Sequence, residues 1–166
     1  MHSKTVLLLA ILAIPRVIQA AGDAPLDRAT LRGLGAVGVI IDPIDPDLVK
    51  EGLTQDLLQK RIEGHLRDAG IAVDPSAHEF VGLRVLQVRA QRGSFSQRGP
   101  YALCLSVGVY QPVLLVRNKD VKTATETWGV DTVLMADPKV VTREALNSVD
   151  ELADRMVAAY RSANPK

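Results

Sequence analysis

Residues 54–70 read TQDLLQKRIEGHLRDAG and predict an amphipathic helix whose two ends are both marked. Thr54 can accept a hydrogen bond from an amide of the first turn, and Gly70 is the residue type that most easily adopts the left-handed conformation at a helix end. The apolar residues recur at helical spacing and form one stripe, made by Leu58, Ile62 and Leu66 with Leu57 and Ala69 beside them. One side of this helix is therefore expected to pack against another element.

Strand patterns lie on both sides of this helix. Residues 37–41 predict a first strand, and residues 71–73 predict a short second strand directly after the helix. The hydrophobic period then changes to two. Three longer strands are predicted, over about residues 80–90, 101–117 and 123–134. Pro112 interrupts the second of these, so we expect a bulge or an edge position there.

A second helix is predicted at the end of the chain, with Thr142 as its cap. Its apolar face is made by Ala145, Val149, Leu152, Ala153, Met156 and Tyr160. The element order is β-α-β-β-β-β-α, which predicts an α+β fold with a mostly antiparallel sheet and two helices packed on it. Residues 34–166 are expected to form this single domain, preceded by a flexible lead-in over residues 21–33.

The amino-terminal residues predict export. Lys4 supplies a positive charge, residues 6–14 are apolar without interruption, and Ala20 is a small residue before a cut. The apolar run is much shorter than the roughly twenty residues of a membrane-spanning helix. We therefore expect residues 1–20 to be a signal peptide, and no lipid, because no cysteine lies near the cut. The mature protein is expected to begin at Ala21, with cleavage after Ala21 as the second choice, and to be periplasmic or secreted without stable insertion in the membrane.

The net charge of the whole chain excludes few classes of binding partner. The chain has 20 basic and 19 acidic residues, and cleavage removes Lys4 and Arg16, which leaves 18 against 19 and a net charge of −1. A protein of this charge in this compartment is a poor candidate for binding nucleic acid. The single cysteine, Cys104, excludes a disulfide within the chain. Since it lies in an apolar strand pattern, we interpret it as a small buried hydrophobe.

Catalytic and metal-binding patterns are missing from the sequence. His65 lies off the apolar stripe of the first helix and is interpreted as a solvated residue, while His78 stands beside Glu79 without further partners. Zinc needs three or four ligands, and the chain offers neither a cysteine pair nor a histidine pair at helical spacing. We therefore expect no enzyme activity, no metal and no cofactor. An enzyme that uses scattered carboxylates is the weakest hypothesis.

An acidic segment joins the first strand to the first helix. It contains Asp42, Asp45 and Asp47, followed by Glu51. Carboxylates in a loop can bind calcium, but this spacing is not that of an EF-hand loop. Aspartates also form turns and favour the positive end of a helix, and we prefer that interpretation. Calcium binding stays open as the alternative.

Basic residues are concentrated in the middle of the chain. Between Glu79 and Asp120 there is no acidic residue and there are six basic ones. The predicted loop between two strands carries Arg92, Phe95 and Arg98, which makes them candidate binding residues for an anionic partner. The alternative, which we favour, is that these arginines protect strands against aggregation.

Trp128 is the remaining candidate binding residue. It stands between Thr127 and Gly129, in a polar neighbourhood late in the strand region. Tryptophan in this setting more often anchors a core or a sheet edge than binds a ligand. The sequence leaves both interpretations open.

The layout resembles a group of small bacterial envelope domains, namely the amino-terminal domain of the TolB translocation protein and related curli-secretion and exopolysaccharide-export lipoproteins. Those domains have a first strand, a polar loop, a helix closed by glycine, a strand meander and a final helix. Residues 37–41, 54–70, 80–134 and the helix after Thr142 follow that order. The chain departs from the group because it has no lipid-bearing cysteine and because residues 78–85 lack the usual entry into that strand. The resemblance therefore implies an envelope protein and transfers no functional residue.

These observations favour a non-enzymatic exported envelope domain that binds a protein or an envelope polymer, including an anionic polymer. The export signal, the missing active site and the basic loop carry this hypothesis. The alternative is a small-molecule-binding periplasmic protein with a pocket between sheet and helices near Trp128.

Overall fold

Five strands and four helices make up the part of the chain that the structure describes, residues 22–89 and 99–165 of a computed structural model. The strands are β1 (Ala36–Ile41), β2 (Ala72–Val73), β3 (Phe80–Arg89), β4 (Tyr101–Leu115) and β5 (Asn118–Ala136). The helices are α1 (Pro25–Ala29), α2 (Pro46–Lys50), α3 (Gln55–Asp68) and α4 (Val141–Ala163). The predicted α+β class is confirmed, with the short helices α1 and α2 in addition.

The strands form one sheet in the order β2-β1-β3-β4-β5. β1 pairs in parallel with both β2 and β3, whereas β3, β4 and β5 pair antiparallel. The prediction of a mostly antiparallel sheet is therefore confirmed, but the sheet is mixed and the meander is limited to its last three strands. The parallel pair β1–β2 arises because the chain returns through α3, and such a crossover brings the next strand in the same direction.

Helix α3 has the ends that its sequence predicts. The Thr54 side chain accepts a hydrogen bond from the Leu57 amide at 3.3 Å. Gly70 ends the helix with a φ of 80°, and the Ile71 amide then donates to the Leu66 carbonyl at 2.9 Å. The predicted stripe is buried, at Leu58, Ile62 and Leu66. This helix is thus specified by its local sequence.

Helix α4 begins differently from the prediction. The residue before its first turn is Val140, which makes no side-chain cap, and Thr142 lies inside the first turn. The Thr142 hydroxyl instead donates to the Glu51 carbonyl at 2.8 Å, where α2 ends. The predicted cap is therefore wrong, because a tertiary contact with α2 takes the hydroxyl that the local pattern assigned to the helix end.

The sheet has one covered face and one open face. α3 packs on β1, α4 packs on β4 and β5, and the two helices contact each other. On β4 the alternate positions from Tyr101 to Val109 are fully buried on this side. No helix of the described residues covers the opposite face, which we call the open face. None of the described helices combines the length and the apolar composition that crossing a membrane requires.

The predicted flexible lead-in has regular structure within its described residues, 22–33. It contains α1 and places Leu31 in the core with none of its surface exposed. Asp23 accepts hydrogen bonds from Arg28 Nε at 2.7 Å and from Trp128 Nε1 at 2.8 Å. The hydrogen bond from Arg28 is the main reason why the pKa of Asp23 lies below its ordinary value. Polar contacts therefore hold this segment against β5, and Asn164 at the end of α4 bonds to the Gly33 amide and the Leu31 carbonyl.

Pro112 lies where β4 has a single neighbour. The first residue of β3, Phe80, pairs with Tyr110, so β4 beyond Tyr110 pairs only with β5. Proline is tolerated there because the missing amide faces no third strand. A register shift between Val109 and Tyr110 lies close by. The expected edge position is therefore confirmed.

Candidate functional site

A row of glycines crosses the open face. Gly82 of β3 is paired with Gly108 of β4, and Gly108 is paired with Gly129 of β5. Three adjacent strands therefore present backbone without side chains at one level of the sheet. Glycine inside a strand often marks a place where another group approaches the backbone closely. This row forms the floor of a cleft.

Two long side chains lie over this floor. A Cβ atom on Gly82 would come within 2.8 Å of Tyr110 Cε2, and one on Gly108 would come within 2.8 Å of Glu126 Cδ. A Cβ atom on Gly129 would collide with Glu126 Oε1. Each contact is shorter than non-bonded carbon and oxygen atoms tolerate. The three glycines are therefore what allows Tyr110 and Glu126 to lie against the sheet.

An aromatic pair forms the wall at one end of the cleft. The rings of Phe80 and Tyr110 are stacked, with centroids 4.9 Å apart and an angle of 6° between their planes. The Tyr110 hydroxyl donates to Glu126 Oε2 at 2.8 Å. Burial raises the pKa of Tyr110 above its ordinary value, and the neighbouring Glu126 carboxylate adds to this effect. The hydroxyl therefore stays protonated and keeps Glu126 in place.

Charged groups line the rest of the cleft. Arg84 Nε donates to Asp42 Oδ2 at 2.8 Å, and this contact raises the pKa of Arg84. Asp131 lies on the other side, in the row that contains Arg84 and Ser106. With Glu126, the lining thus has three carboxylates and one guanidinium. The cleft encloses about 370 Å³, within the size range of small-ligand sites.

This arrangement of side chains is suited to binding a ligand through noncovalent contacts. The stacked rings offer an apolar face, and the carboxylates accept hydrogen bonds and attract cations. The lining has an excess of two negative charges over positive ones. It therefore favours ligands that carry hydroxyl or amino groups over anions.

The acidic segment between β1 and α2 does not converge on one point. Asp45 accepts from the Asp47 amide at 2.8 Å as the cap of α2, and Asp47 pairs with Lys50 at 2.9 Å. Asp42 pairs with Arg84. Within residues 22–89 and 99–165, no three His, Cys, Asp or Glu side chains are arranged to hold a metal ion. These contacts are those of turn and cap residues.

Trp128 lies on the covered face, away from the cleft. Its ring has none of its surface exposed, and its Nε1 is bonded to Asp23. The pocket expected between sheet and helices near Trp128 is not the cleft described above, because that cleft lies on the opposite face. The structure thus gives Trp128 the position of a core anchor.

The other candidate binding residues, Arg92, Phe95 and Arg98, lie outside the described residues. Their role as a contact site for a partner stays a prediction.

The side chain of His65, a residue of α3, lies between α3 and α4. Its Nε2 is 3.0 Å from Asp150 Oδ1 and its Nδ1 is 3.1 Å from Asp154 Oδ1. Arg61 also donates twice to Asp150, at 2.6 Å each, which lowers the pKa of that carboxyl. The interpretation of His65 as a simply solvated residue is therefore wrong, since the partners come from a helix far away in the sequence. The cluster joins the two helices.

Cys104 also differs from its interpretation. It is half-buried on the open face, between Leu86 of β3 and Val133 of β5. It does not belong to the core on the helix side.

The cleft itself was missed in the sequence. Its signal was present, since Gly82, Gly108 and Gly129 each interrupt a strand pattern. Only the pairing of the strands shows that they stand side by side.

Comparison with known proteins gives weak likenesses of fold. No family model and no curated protein matches the chain. Among solved structures, the chain is similar to the PelC dodecamer from Paraburkholderia phytofirmans, with 12% identity and a TM-score of 0.43 over 82% of this chain and 92% of that one. It is also similar to a minor lipoprotein from Acinetobacter baumannii, with 12% identity and a TM-score of 0.36 over 78% of this chain and 93% of that one. The rare lipoprotein B from Shewanella oneidensis gives 14% identity and a TM-score of 0.37 over 77% and 95%. Two of the three are lipoproteins by name, and these values assign the chain to no family.

Proposed function

We propose that this chain is a non-enzymatic exported domain of the bacterial envelope that binds a protein or an envelope polymer in the cleft on the open face. The observation that carries the proposal is the glycine floor beneath Tyr110 and Glu126. Three glycines at one level weaken a sheet, because glycine loses more backbone entropy on folding than other residues. Their cost is offset here by the close approach of Tyr110 and Glu126, which places an aromatic ring and a carboxylate in the cleft.

The ligand is a segment that carries hydroxyl or amino groups. Glu126, Asp42 and Asp131 offer acceptors around the floor, and the Phe80–Tyr110 stack offers an apolar face against which a sugar ring or an aliphatic stem can pack. An amino group near Glu126 gains a charge-assisted hydrogen bond, which is stronger than a neutral one. A polyanion is disfavoured at this site by the excess of carboxylates.

The loop with Arg92, Phe95 and Arg98 is proposed as a second contact, for an anionic part of the partner. Its charge is opposite to that of the cleft, so the two surfaces select different groups. Alanine at Arg92 and Arg98 should weaken capture of an anionic partner and leave the cleft ligand unaffected.

A small molecule is the second candidate ligand, and the volume of about 370 Å³ favours it. The two candidates differ in how affinity depends on length. A polymer should bind more tightly as the oligomer grows from two to six units, whereas a small molecule gains nothing beyond the unit that fills the cleft.

The cleft is tested by calorimetric titration with four probes: a lysine hexapeptide, a glucosamine hexamer, a glutamate hexapeptide and an N-acetylglucosamine hexamer. We expect binding of one or both cationic probes and none of the glutamate peptide. Glu126→Gln should weaken that binding by about tenfold, because one charge-assisted contact contributes about 1.4 kcal/mol or more. The lysine and glucosamine probes separate a protein-like ligand from a polymer.

Glu151→Gln is the matched control, since Glu151 is exposed on α4, behind the covered face. It removes the same charge without touching the cleft and should leave binding unchanged. Equal binding by wild type and Glu126→Gln, or equal binding of glutamate and lysine peptides, would contradict the proposed site.

Export is tested by intact-mass measurement of the protein from its native envelope. We expect a mass that corresponds to residues 21–166, without an acyl group, because the apolar run is followed by a small residue at the cut and no cysteine lies near that cut. A mass that includes residues 1–20, or one with a lipid adduct, would overturn this expectation.

A further inference from the structure

An apolar block lies on the open face beside the cleft. Four of its side chains are more than half exposed: Leu86 at 57%, Val88 at 71%, Val133 at 69% and Met135 at 73%. The strand register arranges them in two rows, with Cys104 between Leu86 and Val133 and with Ala102 between Val88 and Met135. No charged residue belongs to these two rows. Such a patch on a soluble protein commonly marks an interaction surface.

A charged row borders this block. Arg84 of β3, Ser106 of β4 and Asp131 of β5 lie side by side at one level. The positive and the negative charge are therefore placed symmetrically on the two strands that flank β4. The surface carries opposite charges at equal distances from its central strand.

We propose that the open face pairs with the open face of a second copy of this chain. The two copies are related by a twofold axis that is parallel to β4 and lies midway between the two sheets. Rotation about that axis brings β3 of one copy over β5 of the other, and β4 over β4. Arg84 then faces Asp131 of the second copy, and this contact occurs twice. Leu86 faces Val133, Val88 faces Met135, and Cys104 faces Cys104. The surface is thus complementary to itself in charge and in apolar character, as a symmetric dimer requires.

The geometry is that of two sheets packed face to face. Packed sheets lie about 10 Å apart with their strands nearly aligned. The apolar block is about 14 Å wide and about 10–15 Å long, from the usual spacing of strands and residues. The area enclosed by this width and length is less than the ~800 Å² that each partner buries in a standard interface. We therefore expect a weak, reversible dimer, and the glycine row lies one level beyond the contact.

The dimer is tested by sedimentation of the purified secreted protein, without ligand, from about 10 µM to about 1 mM. We expect a concentration-dependent shift from monomer to dimer. Val133→Asp should abolish it, because the substitution buries an unpaired carboxylate. A protein that remains a monomer at about 1 mM would overturn the proposal.

A charge exchange tests the orientation. Arg84→Glu alone and Asp131→Arg alone should each weaken the dimer by about tenfold, because two attractive contacts become repulsive. The double variant Arg84→Glu with Asp131→Arg restores opposite charges across the axis and should dimerise more tightly than either single variant, although it also lacks the pair between Arg84 and Asp42. Circular dichroism and urea melts check that each variant is folded. Failure of the double variant to recover dimerisation, with the fold intact, would contradict the twofold arrangement.

Cys104 provides an independent distance test. Opposed Cα atoms in sheets about 10 Å apart are too far from each other for a direct disulfide, which needs less than about 7 Å. Because the two side chains point towards each other, their sulfur atoms lie closer than the Cα atoms, and a bifunctional thiol reagent with a very short spacer should link two copies through Cys104. Cys104→Ser should lose the cross-link and keep the dimer in sedimentation. Absence of the cross-link in a wild-type sample that sediments as a dimer would mean that a different face is paired.

Arg84 and Asp131 also line the cleft, so sedimentation is run without ligand, and Val133→Asp, which lies outside the cleft lining, distinguishes failure of the dimer from failure of the cleft. Glu126→Gln changes a residue outside the apolar block and should leave sedimentation unchanged.

Discussion

Replacing Trp128 with alanine should lower the free energy of unfolding by about 3–5 kcal/mol, as for other large aromatic residues removed from a core. The ring is completely buried between the sheet and the helices, and its Nε1 donates to Asp23 at 2.8 Å. Its removal therefore leaves a cavity and also removes one of the hydrogen bonds that join the lead-in to β5. Urea denaturation followed by circular dichroism measures the change.

Trp128→Phe separates the two contributions. Phenylalanine keeps most of the apolar area and removes the donor, while Asp23 remains bonded to Arg28. The expected loss is about 1–2 kcal/mol, as for one hydrogen bond and a modest change of volume. Stability of the alanine variant within about 1 kcal/mol of wild type would contradict the position of Trp128 in the core.

Leu66→Ala should destabilise the protein by about 2–5 kcal/mol, because a leucine that is 1% exposed loses both transfer energy and packing. The matched control is Leu57→Ala on the same helix. Leu57 is 37% exposed, so the same chemical change should cost less than about 1 kcal/mol. Equal costs from urea melts would mean that α3 is rotated about its axis relative to the sheet.

Much of the fold could be predicted because its signals are local. The cap at Thr54, the stripe through Leu66 and the end at Gly70 involve residues of one helix, and each is found where the pattern predicts it. The alternation in β4 likewise identifies its buried side without knowledge of the neighbouring strands. Local periodicity is a direct consequence of helix and strand geometry.

The errors arise where a distant residue competes for a local group. The local pattern predicts Thr142 as the cap of α4, but its hydroxyl donates to the Glu51 carbonyl. His65 was expected to be solvated, but Asp150 and Asp154 of α4 bond both of its ring nitrogens. Each partner is more than 80 positions away in the sequence, so no window around the residue contains it.

The cleft could not be predicted because it depends on register. Gly82, Gly108 and Gly129 are separated by 26 and 21 positions, and each alone is a strand glycine of no special meaning. A shift of one position in the pairing of β4 would move Gly108 out of line with Gly82 and turn its side of the strand to the helices. The site is thus a property of the paired sheet.

The central claim, that the cleft on the open face is the binding site, is tested most directly by mapping amide chemical shifts during titration. The probe is whichever cationic hexamer binds in calorimetry. We expect the largest shifts at the amides of Gly82, Gly108 and Gly129, which form the floor. Large shifts are also expected at the amides of Tyr110 and Glu126, because their side chains lie over that floor. Shifts confined to α3 and α4, on the covered side of the sheet, would contradict the account.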